Sequence, residues 1–155
     1  MMSLVVASLT LALSLLQSTP VSRPDFSGSW TMDRSRSQSP EANSLKITQS
    51  PTEITIETQT GGKTSTRTFV FEASKHPASE TLSAGHSHAS WDGTILANEA
   101  VGEISGQTVS YRQLRYLNGP STEMTVESVT VVQHGYSLKG GKNYTTLKDV
   151  YVRDK

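Results

Sequence analysis

The sequence predicts an all-β domain, built as an antiparallel up-and-down barrel of eight to nine strands. Apolar and polar residues alternate in short runs, most strictly from Thr52 to Thr58, where Ile54 and Ile56 share one face. Turn residues follow each run, and no stretch of the domain has helical periodicity. The 155 residues suit a single domain, and short sequential hairpins favour a meander barrel over a Greek key.

The first segment of the chain differs from the rest. Residues 1–22 carry no charged side chain, and the run from Leu4 to Leu16 is almost entirely apolar. A membrane-spanning helix needs about 20 residues, so this run is too short to span but has the length of the apolar part of a secretory signal. We therefore expect a helical signal peptide over 1–22 and a secreted or periplasmic barrel domain over 23–155. An uncleaved N-terminal membrane anchor is the alternative, because the uncharged stretch continues to Ser22.

The strands of the domain follow one another at regular spacing. The predicted strands are 29–34, 45–47, 52–58, 64–71, 85–91, 94–100, 109–117, 123–132 and 145–153. Gly61-Gly62 and Asp92-Gly93 predict tight hairpin turns between neighbouring strands. Two polar loops, 35–43 and 72–84, interrupt the series, and either has room for one short helical turn.

The start of the domain carries a family resemblance. Positions 25–30 read Asp-Phe-Ser-Gly-Ser-Trp. This start resembles that of lipocalin-like, calycin-type secreted bacterial proteins, which begin Asp-Phe-Ser-Gly-x-Trp. The resemblance implies that Gly28 and Trp30 lie at a closed end of the barrel and that Arg153, in the last strand, packs over the Trp30 ring. Guanidinium on indole is a favourable stacked contact. The usual lipocalin disulfide cannot form, because the chain has no cysteine.

One strand carries the candidate ligand-binding residues. Between positions 111 and 116 alternation sets Tyr111, Gln113 and Arg115 on one face, and Arg112, Leu114 and Tyr116 on the other. If the first set faces the barrel interior, it forms an aromatic wall with a cation, suited to an amphipathic anion such as a fatty acid. Trp91 is a further ligand-binding candidate. The alternative is ordinary cross-strand packing of arginine and tyrosine on the outside.

His86 and His88 form the weak candidate for a metal site. Two residues apart on a strand, they point to the same face, about 7 Å apart along the chain. Zinc would need one or two further ligands from elsewhere in the fold. The alternative is a solvent-facing strand edge beside a turn, and our prediction is that no metal is bound.

Composition and motifs narrow the function classes. The 14 basic residues balance the 14 acidic ones, which argues against a nucleic-acid partner. No phosphate-binding loop, dinucleotide fingerprint or nucleophile elbow is present, so we expect neither a cofactor nor an enzyme. The leading hypothesis is an exported barrel that binds a small hydrophobic or amphipathic molecule. The alternatives are a protein-interaction or envelope module without a ligand, and an enzyme on the same scaffold. The oligomeric state is left open.

Overall fold

A computed structural model of the chain describes residues 22–71, 87–132 and 143–155. These residues form nine β-strands that close into one barrel, in which each strand pairs with the next and the last pairs with the first. The strands are β1 Gly28–Met32, β2 Asn43–Gln49, β3 Glu53–Thr60, β4 Lys63–Phe71, β5 Ser87–Asp92, β6 Ile95–Ile104, β7 Gln107–Leu117, β8 Glu123–Val132 and β9 Tyr144–Arg153. One 3-10 turn, Arg34–Arg36, follows β1.

Strand direction around the barrel departs from the prediction at one place. β4 and β5 run parallel and are paired at Val70 with His88 and at Phe71 with Ala89, whereas the other neighbouring strands are antiparallel. The prediction of a wholly antiparallel up-and-down barrel is therefore wrong at this pair. A closed ring with an odd number of strands cannot alternate direction all the way round, so one neighbouring pair has to be parallel. The connection between these two strands, 72–86, lies outside the described residues.

Short turns join β2 to β3, β3 to β4, β5 to β6, β6 to β7 and β7 to β8. Gly61 and Gly62 form the two-residue turn between β3 and β4, and their φ angles are 55° and 76°. Positive φ at both positions gives the turn a twist that matches the flanking strands, and glycine adopts it without a steric penalty. The turn between β6 and β7 is Ser105-Gly106, so β6 extends to Ile104, beyond its predicted end.

The barrel interior combines an apolar cluster with a smaller buried polar group. Cross-strand partners share a face, so the pairing register decides which side chains point inward. The apolar cluster contains Phe26, Trp30, Met32, Leu45, Ile47, Ile54, Ile56, Phe69, Ala89, Leu96, Ala100, Met124, Val126 and Tyr151. Full burial of one large apolar side chain contributes about 1.5–3 kcal/mol, so this cluster is the main stabilising element of the barrel.

Trp30 lies at the end of the barrel where the chain enters β1. It is fully buried, and its indole N–H donates to the carbonyl of Phe26 at 3.0 Å. The guanidinium carbon of Arg153 lies 4.2 Å from the centroid of the Trp30 ring. The same guanidinium donates to the backbone carbonyls of Ser27, Asp25 and, at 2.8 Å, Ser121. Arg153 therefore ties the entry of β1, the turn before β8 and the end of β9 together.

The predicted signal peptide lies outside the residues that the structure describes. Residues 1–21 are not described, so the signal peptide, its alternative as an anchor and the boundary at 22 remain predictions. Over the described ranges, no helix is long and apolar enough to span a bilayer.

Candidate ligand-binding site

The central strand of the site is β7, whose two faces differ in environment. Its partners on β6 are Ala100 opposite Tyr111, Asn98 opposite Gln113 and Leu96 opposite Arg115. Tyr111, Gln113 and Arg115 line a cavity of about 160 Å³ inside the barrel. The face of β7 that carries Tyr111, Gln113 and Arg115 is therefore the interior one, which the sequence alone does not decide. Arg112 lies on the outer face, where its Nε is 2.9 Å from a carboxylate oxygen of Glu99.

Arg115 is a buried cation that has no counter-ion among the described residues. Its side chain is among the largest fully buried ones, and the residue is only 2% exposed. It donates to Oδ1 of Asn98 and, at 2.6 Å, to Oε1 of Gln113. Within the described ranges no carboxylate forms an ion pair with it. Burial lowers the pKa of Arg115 to about 10, so the group is still charged at neutral pH.

The guanidinium determines how the neighbouring polar groups are oriented. Arginine has only donors, so Gln113 presents its amide oxygen to Arg115 and turns its amide nitrogen away. That nitrogen donates to the Ser128 hydroxyl at 3.0 Å. Burial raises the pKa of the Tyr111 phenol, while the nearby Arg115 charge and the Ser128 hydroxyl act in the opposite direction. Arg115, Gln113 and Ser128 thus form a hydrogen-bonded network along the wall made by β7 and β8.

Asp149, on β9, lines the same cavity, and its carboxylate accepts hydrogen bonds from a neighbouring loop. It is buried and accepts hydrogen bonds from the backbone N–H groups of Gln38 and Ser39, at 3.0 and 2.9 Å, and from the Ser39 hydroxyl at 2.5 Å. These bonds hold the loop after the 3-10 turn against the cavity, because Ser39 is also one of its lining residues. The carboxylate therefore anchors the loop, and within the described part of the chain it forms no ion pair with Arg115.

A wider cavity adjoins the polar one. Its volume is about 720 Å³, and it shares Thr58, Tyr111 and Thr130 with the cavity at Arg115. Its apolar lining residues are Ile56, Phe69, Ala100, Val101, Ile104 and Val109, and its charged ones are Arg67 and Glu103. A polar pocket with a cation thus continues into a larger and more apolar space.

Trp91, the other ligand-binding candidate, is partly buried and packs against the apolar cluster. Its ring is 5.6 Å from the ring of Phe71 and 6.0 Å from that of Phe26, and the guanidinium of Arg23 lies over it. Among the described residues it lines neither of the two cavities. A direct contact between Trp91 and a ligand stays a prediction.

The histidine pair is only partly described. His88 points to the outer face of β5 but is 3% exposed, and its Nε2 lies 3.4 Å from a carboxylate oxygen of Glu99. The expectation of a solvent-facing histidine is therefore wrong for His88. His86 lies outside the described residues. Over the ranges that are described, no three His, Cys, Asp or Glu side chains are grouped as metal ligands.

Three polar residues of the interior are not apparent from the sequence: Asn98, Ser128 and Asp149. Each stands next to a charged residue of its strand, Glu99, Glu127 or Lys148, and a polar residue in a strand fits an exposed position equally well. The only available signal is the register of the β5–β6 hairpin, which places Asn98 opposite the inward-facing Ala89.

Comparisons with known proteins add little to this geometry. No protein-family model matches the chain, and no curated protein matches it. Among solved structures, one described as "REP1-NXSQ fatty acid transporter" is 11% identical with a TM-score of 0.43, covering 83% of this chain and 96% of that one. The wild-type fluorescent protein UnaG is 13% identical with a TM-score of 0.49, covering 83% and 97%. The closed nine-stranded barrel, the coarse architecture that the calycin resemblance implies, is established by the chain's own strand pairing.

Proposed function

We propose that this barrel binds a small amphipathic molecule whose anionic group lies at Arg115. The observation that carries the proposal is the buried, charged guanidinium on a cavity wall, with no carboxylate paired to it among the described residues. An uncompensated charge in a protein interior is costly, and a bound anion removes that cost. Asp149 is not this anion, because its carboxylate oxygens accept hydrogen bonds from Ser39 in the loop.

The two adjoining cavities support the amphipathic part of the proposal. Pockets for small molecules typically measure about 300–1,000 Å³ and combine apolar walls with a few placed polar groups. The cavity at Arg115, about 160 Å³, suits an acidic head group, and the neighbouring one, about 720 Å³, suits an apolar body. The proposed role is that of a binding protein rather than an enzyme. The apolar run from Leu4 to Leu16 supports a site of action outside the cytoplasm.

The test compares two arginines of one strand that face opposite ways. Arg115→Met removes the interior cation, and Arg112→Met removes the outer one that pairs with Glu99. Binding is measured by fluorescence titration with 11-(dansylamino)undecanoic acid, and by the same titration with the corresponding primary alcohol. A charge-assisted hydrogen bond contributes about 1.5–3 kcal/mol, so we expect Arg115→Met to weaken binding of the acid by about 10- to 100-fold.

The controls define the outcome. Arg112→Met should bind the acid like the wild type, and Arg115→Met should bind the alcohol with little change. Circular dichroism checks that both variants are folded. The proposal fails if the wild type does not prefer the acid to the alcohol, or if the two arginine variants bind the acid equally well.

A further inference from the structure

Tyr111 lies at the boundary between the polar cavity of about 160 Å³ and the wide cavity of about 720 Å³. Along the inward face of β7, Val109 lines the wide cavity, Tyr111 lines both, and Gln113 lines the polar one. β8 shows the same change, since Thr130 lines both cavities and Ser128 lines the polar one. A ligand that occupies both cavities therefore passes the side chain of Tyr111.

The boundary is made by one large side chain and two small ones. The residues that line both cavities are Thr58, Tyr111 and Thr130. The cross-strand partners of Tyr111 are Ala100 on β6 and Thr130 on β8, so its ring stands between small neighbours in the sheet. Because alanine and threonine side chains extend little from a strand, the Tyr111 ring decides how much room remains between the two cavities.

The ring also lies on the side of Arg115 toward which the guanidinium leans. Arg115 donates to Oε1 of Gln113 at 2.6 Å, and Gln113 is the inward residue between Arg115 and Tyr111 on β7. Burial raises the pKa of the Tyr111 phenol, and the charge of Arg115 partly opposes this shift, so the two groups are neighbours. With an anionic group at Arg115, the ligand atoms beside the ring are therefore the first carbons that follow that group.

We infer that Tyr111 is a specificity-determining residue that restricts the ligand to anions whose chain is unbranched next to the anionic group. The inference rests on the proposed function, since it takes the head group to lie at Arg115 and the apolar body in the wide cavity. Added methyl groups in a filled site displace neighbouring side chains, which weakens binding. The wide cavity has room for such groups, so branching further along the chain is tolerated.

The test compares two isomers of one probe. Both carry two added methyl groups on 11-(dansylamino)undecanoic acid, at carbon 3 near the carboxylate in one isomer and at carbon 9 near the dansyl group in the other. The isomers have the same charge and nearly the same hydrophobicity, so the ratio of their affinities reports where bulk is rejected. One methylene in a pocket changes affinity by about 10- to 200-fold, and we expect the wild type to bind the 3,3-dimethyl isomer about 10- to 100-fold more weakly than the 9,9-dimethyl isomer.

Replacing the ring should remove this discrimination. Tyr111→Ala opens the boundary and should bind the two isomers about equally, and Tyr111→Leu should give an intermediate ratio. Tyr111→Phe keeps the ring without its hydroxyl and should keep the wild-type ratio. A general loss of affinity does not change the ratio, because both isomers are measured in the same variant. Tyr111 is not a member of the apolar cluster, and circular dichroism checks folding; if Tyr111→Ala does not fold, Tyr111→Leu is the deciding variant.

Tyr116→Ala is the matched control. It removes the tyrosine on the outer face of the same strand, where the Tyr116 hydroxyl lies 3.4 Å from a carboxylate oxygen of Glu127. Because this side chain is outside the barrel interior, the variant should discriminate between the isomers as the wild type does.

The outcomes separate this inference from the proposed function. If the wild type prefers the parent acid to the alcohol but binds the two isomers equally, the role of Tyr111 is wrong and the proposed function stands. The role is also wrong if the Tyr111→Ala and Tyr111→Leu variants keep the wild-type ratio, or if Tyr116→Ala lowers it as much as they do. If the wild type shows no preference for the acid over the alcohol, the proposed function is wrong, and the role of Tyr111 fails with it. A ratio that is lost in Tyr111→Ala and kept in Tyr111→Phe and Tyr116→Ala supports the role.

Discussion

Replacing Gly28 with alanine perturbs the closed end of the barrel in two separable ways. Gly28 has a φ of +133°, and a side chain there is strained by about 1–3 kcal/mol. An added Cβ would also lie 2.7 Å from a terminal nitrogen of Arg153, which has to move. That nitrogen belongs to the guanidinium that stacks on Trp30 and donates to the Ser27 carbonyl. Displacing this nitrogen therefore removes part of the stability that the contacts of Arg153 give the folded protein.

The structure supports an estimate of each part. The stacked contact is worth about 1 kcal/mol, and the partly exposed hydrogen bonds to backbone carbonyls add about 1–3 kcal/mol, so Arg153→Met should cost about 2–4 kcal/mol. If Gly28→Ala costs the backbone strain plus about 1 kcal/mol of lost Arg153 contacts, the single variant loses about 2–4 kcal/mol. In the Arg153→Met background only the strain remains, which predicts a coupling free energy of about 1 kcal/mol.

The assay is urea unfolding followed by tryptophan fluorescence, in which the buried Trp30 is a direct reporter. The wild type, both single variants and the double variant complete the cycle. Gly93→Ala is the control, because Gly93 has a φ of +63° but no atom within 4 Å of an added Cβ. It should cost about 1 kcal/mol in either background. Equal costs of Gly28→Ala with and without Arg153 would refute the steric reasoning, and a cost near zero would refute the strain.

Three further predictions concern other parts of the barrel. Burial raises the pKa of the Tyr151 phenol. The stabilising contribution of Tyr151 is therefore complete below the ordinary phenol pKa of about 10 and declines as the pH rises above it. Between pH 9 and 11 the free energy of unfolding of the wild type should fall relative to that of Tyr151→Phe. Asp149→Asn should weaken the hold on the loop at Ser39, destabilise the protein by about 1–3 kcal/mol, and speed amide hydrogen exchange at Gln38 and Ser39. Arg112→Met breaks only a partly exposed ion pair and should cost less than about 1 kcal/mol in urea unfolding.

Much of the barrel follows from local patterns. The strand from Glu53 to Thr60 and the glycine turn after it can be predicted because side-chain alternation and turn geometry depend on a few neighbouring residues. The length of β6 is less accessible, because Ser105 adopts a positive φ that its residue type does not indicate. The parallel pairing of β4 and β5 follows from closing a ring with an odd number of strands, so no local pattern near Phe71 predicts it.

The candidate site also has one part that the sequence predicts and another that only the tertiary structure decides. The sequence by itself determined that Tyr111, Gln113 and Arg115 share one face of a strand, because alternation is a property of the extended backbone. It did not determine which face is interior, since both faces of this strand carry a tyrosine and an arginine. Only the tertiary structure decided that Arg115 is buried beside Asn98 while Asp149 is engaged by Ser39. Whether a charge is compensated depends on side chains that are distant in the sequence, and these meet only when the barrel closes.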